Sequence, residues 1–137
     1  MGKIKVLFIC RGNSVRSQMA EAILRNYGRE QFDVASAGIT PAPVHRFTKY
    51  ILEQHNIDHS DLRPQNVLEF KDKNIDYIIV LSEVAWYSLP DFKGAPKKLK
   101  WFIDDPIGVR GSDEMVEQAF EMTFKKIESK IESYFNI

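Results

Sequence analysis

The chain carries a single cysteine, Cys10, and six residues beyond it an arginine, Arg16; Gly12, Asn13 and Ser14 lie between them and Ser17 follows directly. These residue types at this spacing suit attack on a tetrahedral oxyanion. Such an anion needs several donors converging on it, and a tight loop with inward-pointing backbone N–H groups that runs into a helix N-terminus supplies them. Arg11, Gly12, Asn13, Ser14, Val15 and Ser17 are therefore the expected substrate-binding residues. Gly12 and Asn13 are types that tolerate the positive φ of a concave turn. Arg16 can fold back over the amides and hold two oxygens in its planar fork, which a lysine cannot reproduce. The same field favours the thiolate form of a cysteine. Ser17 is placed to donate its hydroxyl to the sulfur, and Ser14 to order the loop.

Attack by sulfur also requires a proton for the departing oxygen. Asp105 is the leading candidate, because it precedes Pro106 and follows an apolar stretch that reads as a strand. Asp104 competes for the same role. His45, His55 and His59 form no ligand spacing with the cysteine or with carboxylates. They read as surface or structurally satisfied residues, and neither a metal nor a cofactor is expected.

Several elements must bring these groups together. Ile4 to Ile9 is apolar apart from Lys5 and ends at the loop, as a buried parallel strand would. From Ser17, the residues Met19, Ala20, Ile23, Leu24 and Tyr27 recur at helical steps until Gly28. Phe32 to Ser36 reads as a second strand, Ala37-Gly38 and the prolines 41 and 43 as a loop, and Val44, Phe47 and Ile51 as one face of a second helix. Tyr77 to Leu81 and Leu99 to Ile103 are the remaining strands, with a short helix over Glu83 to Leu89 and another around Pro64 to Phe70. The basic run Lys93 to Lys100 reads as a solvated loop. Ser112 caps a long final helix whose stripe is Val116, Phe120, Phe124, Ile127, Ile131 and Tyr134. The alternation predicts a doubly wound α/β domain: a four-stranded parallel sheet flanked by helices on both faces, with its site at the carboxyl ends of the strands.

The 137 residues and 44% apolar content suit a single domain over residues 1–137. Nineteen basic and nineteen acidic residues cancel, so net charge points to no nucleic acid or membrane partner. No apolar run is long enough to span a bilayer and no signal peptide is visible, which suggests a cytoplasmic protein. One cysteine excludes an internal disulfide.

The loop Cys10 to Ser17 with Gln18-Met19-Ala20-Glu21, the Ser36-Ala37-Gly38 turn and Trp101 to Gly108 resemble, along essentially the whole chain, the low-molecular-weight protein tyrosine phosphatases and especially their arsenate reductase branch. The resemblance implies a phosphocysteine intermediate, with Cys10 as nucleophile, Arg16 as oxyanion clamp and Asp105 as general acid and then base. Two departures stand out. The two relay cysteines of thioredoxin-coupled arsenate reductases have no counterpart in Leu81 to Leu89, and the aromatic residues of many phosphatases after Asp-Pro are here Ile107-Gly108.

Hydrolysis of phosphate monoesters, phosphotyrosine or small aryl phosphates, needs only Cys10, Arg16, Asp105 and water, and is the leading expectation. The alternative is an arsenate reductase in which an external thiol or redoxin resolves a Cys10 arseno-adduct. A third, non-enzymatic alternative is an oxyanion or phosphoprotein binding module.

Overall fold

Why Cys10 lies at a ligand site follows from strand order. The computed structural model describes residues 2–137. Its strands are β1 (Ile4–Cys10), β2 (Phe32–Gly38), β3 (Tyr77–Val80) and β4 (Lys97–Lys100), and its helices α1 (Arg16–Gly28), α2 (Arg46–Gln54), α3 (Glu83–Trp86) and α4 (Asp113–Phe135). Short 3-10 turns occupy Val67–Phe70 and Pro106–Gly108. The sheet is four-stranded and parallel in the order β2-β1-β3-β4. The chain moves from β1 outward to β2, then crosses back to β3 on the other side of β1. The end of β1 is thus the point where strand order reverses, and α/β sheets open a crevice there.

Side chains of β1 alternate between two cores. Val6, Phe8 and Cys10 face a large cluster with Met19, Ile23 and Leu24 of α1, Ile51 and Leu52 of α2, and Phe120, Phe124, Ile127 and Ile131 of α4. Leu7 and Ile9 face a smaller cluster with Val67, Phe70, Ile78, Val80 and Ala85. The four α4 residues named are fully buried. Each such side chain contributes about 1.5–3 kcal/mol of burial, so α4 is a substantial part of the cover of this face, beside α1, which packs directly on β1 and β2. Helices lie on both faces as expected, but unequally: three on one side and only α3 with the Val67–Phe70 turn on the other.

Polar contacts pin α4 to its neighbours. His55 Nε2 lies 2.7 and 2.8 Å from the two Glu121 oxygens while its ring stacks on Phe124 at 4.0 Å. Tyr27, expected in the apolar face of α1, is instead 43% exposed and donates its hydroxyl to Glu128. That bond to a carboxylate pushes the Tyr27 phenol up to about 12.

Several boundaries differ from the sequence reading. The fourth strand is Lys97–Lys100, not Leu99 to Ile103, so half of the expected solvated lysine loop is strand. β4 sits at the sheet edge, where lysines are tolerated and discourage further pairing, and only Leu99 packs inward. The downstream segment still bonds the sheet through Trp101 N–H to Val80 and Ile103 N–H to Leu81. β2 extends to Gly38, because its parallel pairing with β1 continues until Gly38 lies opposite Cys10, and Gly38 N–H is further held by the Gln65 carbonyl. The second helix begins at Arg46 with His45 as its cap, excluding Val44. The helix around residue 64 contracts to the Val67–Phe70 turn, and α3 stops at Trp86 rather than Leu89.

Candidate active site

The segment joining β1 to α1 is held from outside by its carbonyls. Thr40 N–H bonds Arg11 O at 2.9 Å, Ala42 N–H bonds Gly12 O at 2.9 Å, and His45 N–H and Thr48 Oγ1 both bond Ser14 O at 3.0 Å. These carbonyls are thereby turned outward to residues 40–48. Asn13 N–H reaches Cys10 Sγ at 3.3 Å. Ser14 donates its hydroxyl to Pro43 O at 2.8 Å, an ordering role. Val15 is the N-cap of α1 and no side chain caps the helix, which leaves its first N–H groups for an anion.

One conformational expectation changes. Asn13 takes positive φ, at 49°, whereas Gly12 does not. The glycine the geometry does require is Gly38, opposite Cys10 in the β1–β2 register. A Cβ there would meet Arg11 O and Asn13 N at 2.9 Å.

A buried hydrogen-bond chain runs from the sulfur into the protein. Cys10 Sγ is 2.9 Å from Ser17 Oγ, which accepts from Asn13 Nδ2 at 2.8 Å and has its own hydrogen available to donate to a Cys10 thiolate. The same amide donates to Ser36 Oγ at 2.9 Å, and Ser36 donates to Glu21 Oε1 at 2.6 Å. Asn13 Oδ1 accepts from Gln65 N–H at 2.8 Å, which fixes the amide orientation. Glu21 is paired with Arg25. Burial pushes the Glu21 carboxyl up, with the Ser36 hydrogen bond and Arg25 pulling it back.

Arg16 is 7% exposed. Its Nη1 donates to Ile103 O at 2.8 Å and Leu81 O at 3.4 Å, and its Nη2 lies 3.4 Å from Asp105 Oδ2. Carbonyls beyond β3 and β4 therefore fix the guanidinium beside Asp105. Asp105 Oδ1 also accepts from Ile107 N–H at 3.0 Å, capping the Pro106–Gly108 turn. Asp104 instead lines a groove with Lys125, Lys126 and Lys130 against α4. Of the two carboxylates, only Asp105 is brought to Arg16.

His45 accepts from Phe47 N–H through Nδ1 at 3.1 Å and caps α2. Burial, with Arg46 beside it, holds this imidazole below its ordinary value, and Asp105 opposes that shift. Trp86 packs on Phe102 at 6.4 Å, Tyr87 is 78% exposed, and Arg11 is exposed at the rim. Among the described residues no cluster of three or more His, Cys, Asp or Glu is placed to hold a metal. No helix among them is long and apolar enough to cross a membrane.

The sequence reading missed the supporting role of Gln18, Glu21, Ser36 and Gln65. A signal was present: Ser17, Gln18 and Glu21 put polar groups at helical spacing beside the apolar stripe of α1, and all three are buried. Gln18 Nε2 bridges the carbonyls of Asn13 and Arg63, both at 2.9 Å. An open cleft of ≈ 1040 Å³ lies behind this network, with Glu21, Arg25, Arg63 and Gln65 in its wall.

A parallel α/β sheet with a recessed cysteine and a tight loop at the end of its first strand defines a recognisable class. The family model for low molecular weight phosphotyrosine protein phosphatase matches residues 5–136, and the chain belongs to that family. An arsenate reductase of Staphylococcus aureus (strain Newman) is 31% identical over 135 residues, covering 95% of this chain and 100% of the relative. An arsenate reductase of Halalkalibacterium halodurans is 28% identical over 134 residues, covering 98% and 96%. The solved low molecular weight protein tyrosine phosphatase from T. tengcongensis matches the fold with a TM-score of 0.75 at 24% identity, over 96% of this chain and 99% of the other.

Proposed function

We propose that this chain reduces arsenate at Cys10, with the second thiol supplied from outside. The observation that carries the proposal is an oxyanion loop with its own recessed thiol in a chain similar, at 28–31% identity over nearly its full length, to proteins named arsenate reductase. This reverses the order of the two enzymatic expectations drawn from sequence.

The step balances as follows. The Cys10 thiolate attacks As(V), forming an S–As bond; one arsenate oxygen leaves as water, taking a proton from Asp105. Converging amides, the α1 N-terminus and Arg16 hold the remaining oxygens. An external thiolate then attacks the Cys10 sulfur. An S–S bond forms, the S–As electron pair stays on arsenic, and arsenite departs as As(III). A second external thiol cleaves the mixed disulfide and restores Cys10. The net change is arsenate and two thiols to arsenite, one disulfide and water. Each turnover consumes two external thiols while Cys10 is regenerated, and the chain holds no other cysteine, so the donor, a small thiol or a redoxin, is a partner.

A second reading, hydrolysis of phosphate monoesters, is favoured by the Asp105 carboxylate at 3.4 Å from Arg16, a position suited to protonating an ester oxygen. The two readings separate in one experiment: arsenite release with several thiols, measured beside hydrolysis of para-nitrophenyl phosphate by the same preparation. Thiol-dependent arsenite formation that vanishes in Cys10→Ser supports reduction. Efficient ester hydrolysis without arsenite from any thiol gives the phosphatase reading precedence.

A further inference from the structure

We propose that Arg11 selects anions at the mouth of the site, and that it favours a low-molecular-weight thiol bearing a carboxylate as the electron donor; the second half rests on the reading under Proposed function. Arg11 directly follows the nucleophile, and consecutive Cα atoms are about 3.8 Å apart. Its carbonyl is tied to Thr40 N–H at 2.9 Å, so the backbone at this rim position is fixed while the side chain is exposed. Arg16, Arg25 and Arg46 each pair with a carboxylate, Asp105, Glu21 and Asp113, whereas Arg11, like Arg29, Arg63 and Arg110, has no such partner among the described residues; of these four, Arg11 is the one that adjoins the nucleophile. Among the described residues Arg11 makes neither an ion pair nor a side-chain hydrogen bond.

The chemistry gives that free cation work to do. An arseno-adduct on Cys10 is anionic, and the thiolate that must attack it is anionic as well. Asp105, with a 42% exposed side chain, adds negative charge nearby. An exposed, uncommitted guanidinium carried by the residue next to Cys10 adds positive charge at the mouth of the site and lessens this repulsion. It also holds a carboxylate two or three bonds from the incoming sulfur, the spacing of small mercapto-acids. Cys10 itself is 2% exposed, with Ser17 and Asn13 against its sulfur, and a slender thiol reaches a recessed atom more readily than the surface of a folded protein.

The test compares mercaptoacetate, 2-mercaptoethanol and cysteamine as donors at saturating arsenate, with rates divided by thiolate fraction. An exposed guanidinium–carboxylate contact gives an expected preference for the acid over the neutral thiol of about two- to fivefold, diminishing with added salt. Arg11→Gln should abolish that preference, and Arg11→Glu should turn it toward cysteamine. A charge order unchanged in Arg11→Gln overturns the proposal. So does a thioredoxin-type dithiol protein that outpaces every small thiol equally in both forms. Alkylation of Cys10 by iodoacetate and by iodoacetamide supplies an arm that needs no arsenate, since the chain has no other thiol. The iodoacetate-to-iodoacetamide rate ratio should fall about two- to fivefold in Arg11→Gln. Absence of arsenite with every thiol removes the reduction reading and the thiol assignment with it. The alkylation ratio then decides anion selection by itself, and a ratio equal in both proteins overturns it.

Discussion

Replacing Asn13 tests whether the oxyanion loop is held by its buried amide. Asn13 is completely buried, sits at φ 49°, donates from Nδ2 to Ser17 and Ser36, and accepts at Oδ1 from Gln65 N–H. Asn13→Ala removes all three side-chain bonds. The Gln65 N–H loses its partner, at a cost of about 1–3 kcal/mol. The left-handed backbone adds about 1–2 kcal/mol for an ordinary L-residue such as alanine. Together these give a loss of roughly 2–5 kcal/mol, a large share of the typical 5–15 kcal/mol of a folded domain. Asn13→Gly keeps the hydrogen-bond loss but accepts positive φ; after the extra chain entropy of glycine it should be about 0.5–1 kcal/mol more stable than alanine. Urea unfolding of the three proteins followed by circular dichroism measures both differences. The variants should also lose turnover, since Ser17 then lacks the donor that fixes its hydroxyl toward the sulfur. An alanine variant within 1 kcal/mol of wild type, or a glycine variant less stable than alanine, would refute the reasoning.

Arg16→Lys should lower kcat/KM nearly as far as Arg16→Ala, within about tenfold, because one ammonium cannot bond Ile103 O and Leu81 O while spanning two substrate oxygens; a lysine enzyme near wild type would show that charge alone suffices. Asp105→Asn should slow adduct formation by about 10²–10⁴, whereas Asp104→Asn, whose side chain lines the groove against α4, should remain near wild type; single-turnover kinetics distinguish them, and a larger loss at Asp104 reverses the assignment. Glu21→Gln should flatten the pH dependence of stability. The folded Glu21 carboxyl lies above its ordinary 4.5, so its contribution is complete below that value and is lost as pH rises through the raised one. Melting curves for wild type and Glu21→Gln between pH 4.5 and 7 should therefore diverge, and parallel profiles would count against a Glu21 carboxyl raised by burial.

The local elements around the site were legible because local patterning and topology agree there. An apolar strand, a turn of permissive residues and an amphipathic helix follow in immediate succession, so the placement of Cys10, Arg16 and Ser17 at the end of β1 and the start of α1 could be read from spacing. Asp105 was legible through its strand and Pro106, though only tertiary structure separates it from Asp104 by bringing one carboxylate to Arg16. β4 was shifted because Lys97-Lys98-Leu99-Lys100 shows just one inward apolar residue, and edge strands do not display the pattern of buried ones. The chain from Ser17 through Asn13 and Ser36 to Glu21 joins residues from α1, the loop and β2, so no local periodicity encodes it. Gly12 and Asn13 both read as tolerating positive φ, and only the closed loop shows that Asn13 alone of the two adopts it.

The two enzymatic readings share one geometry because the loop recognises shape and charge, whereas the fate of the adduct depends on the central atom. Phosphorus bound to Cys10 stays pentavalent in the presence of thiols, so water must attack phosphorus and sulfur is the leaving group. Asp105 then serves twice, giving a proton to the departing oxygen and taking one from water. Arsenic bound to the same sulfur accepts an electron pair, so a thiol can attack sulfur and arsenic becomes the leaving group. Asp105 is needed in that sequence only for the first step. It follows that loss of the Asp105 carboxyl should slow both halves of ester hydrolysis but only the formation of the arseno-adduct. The dependence of arsenite release on thiol concentration should survive in Asp105→Asn, at a lower plateau. If the thiol-dependent step slows in parallel, Asp105 acts on the incoming thiol as well, and the separation of roles drawn from the central atom is wrong.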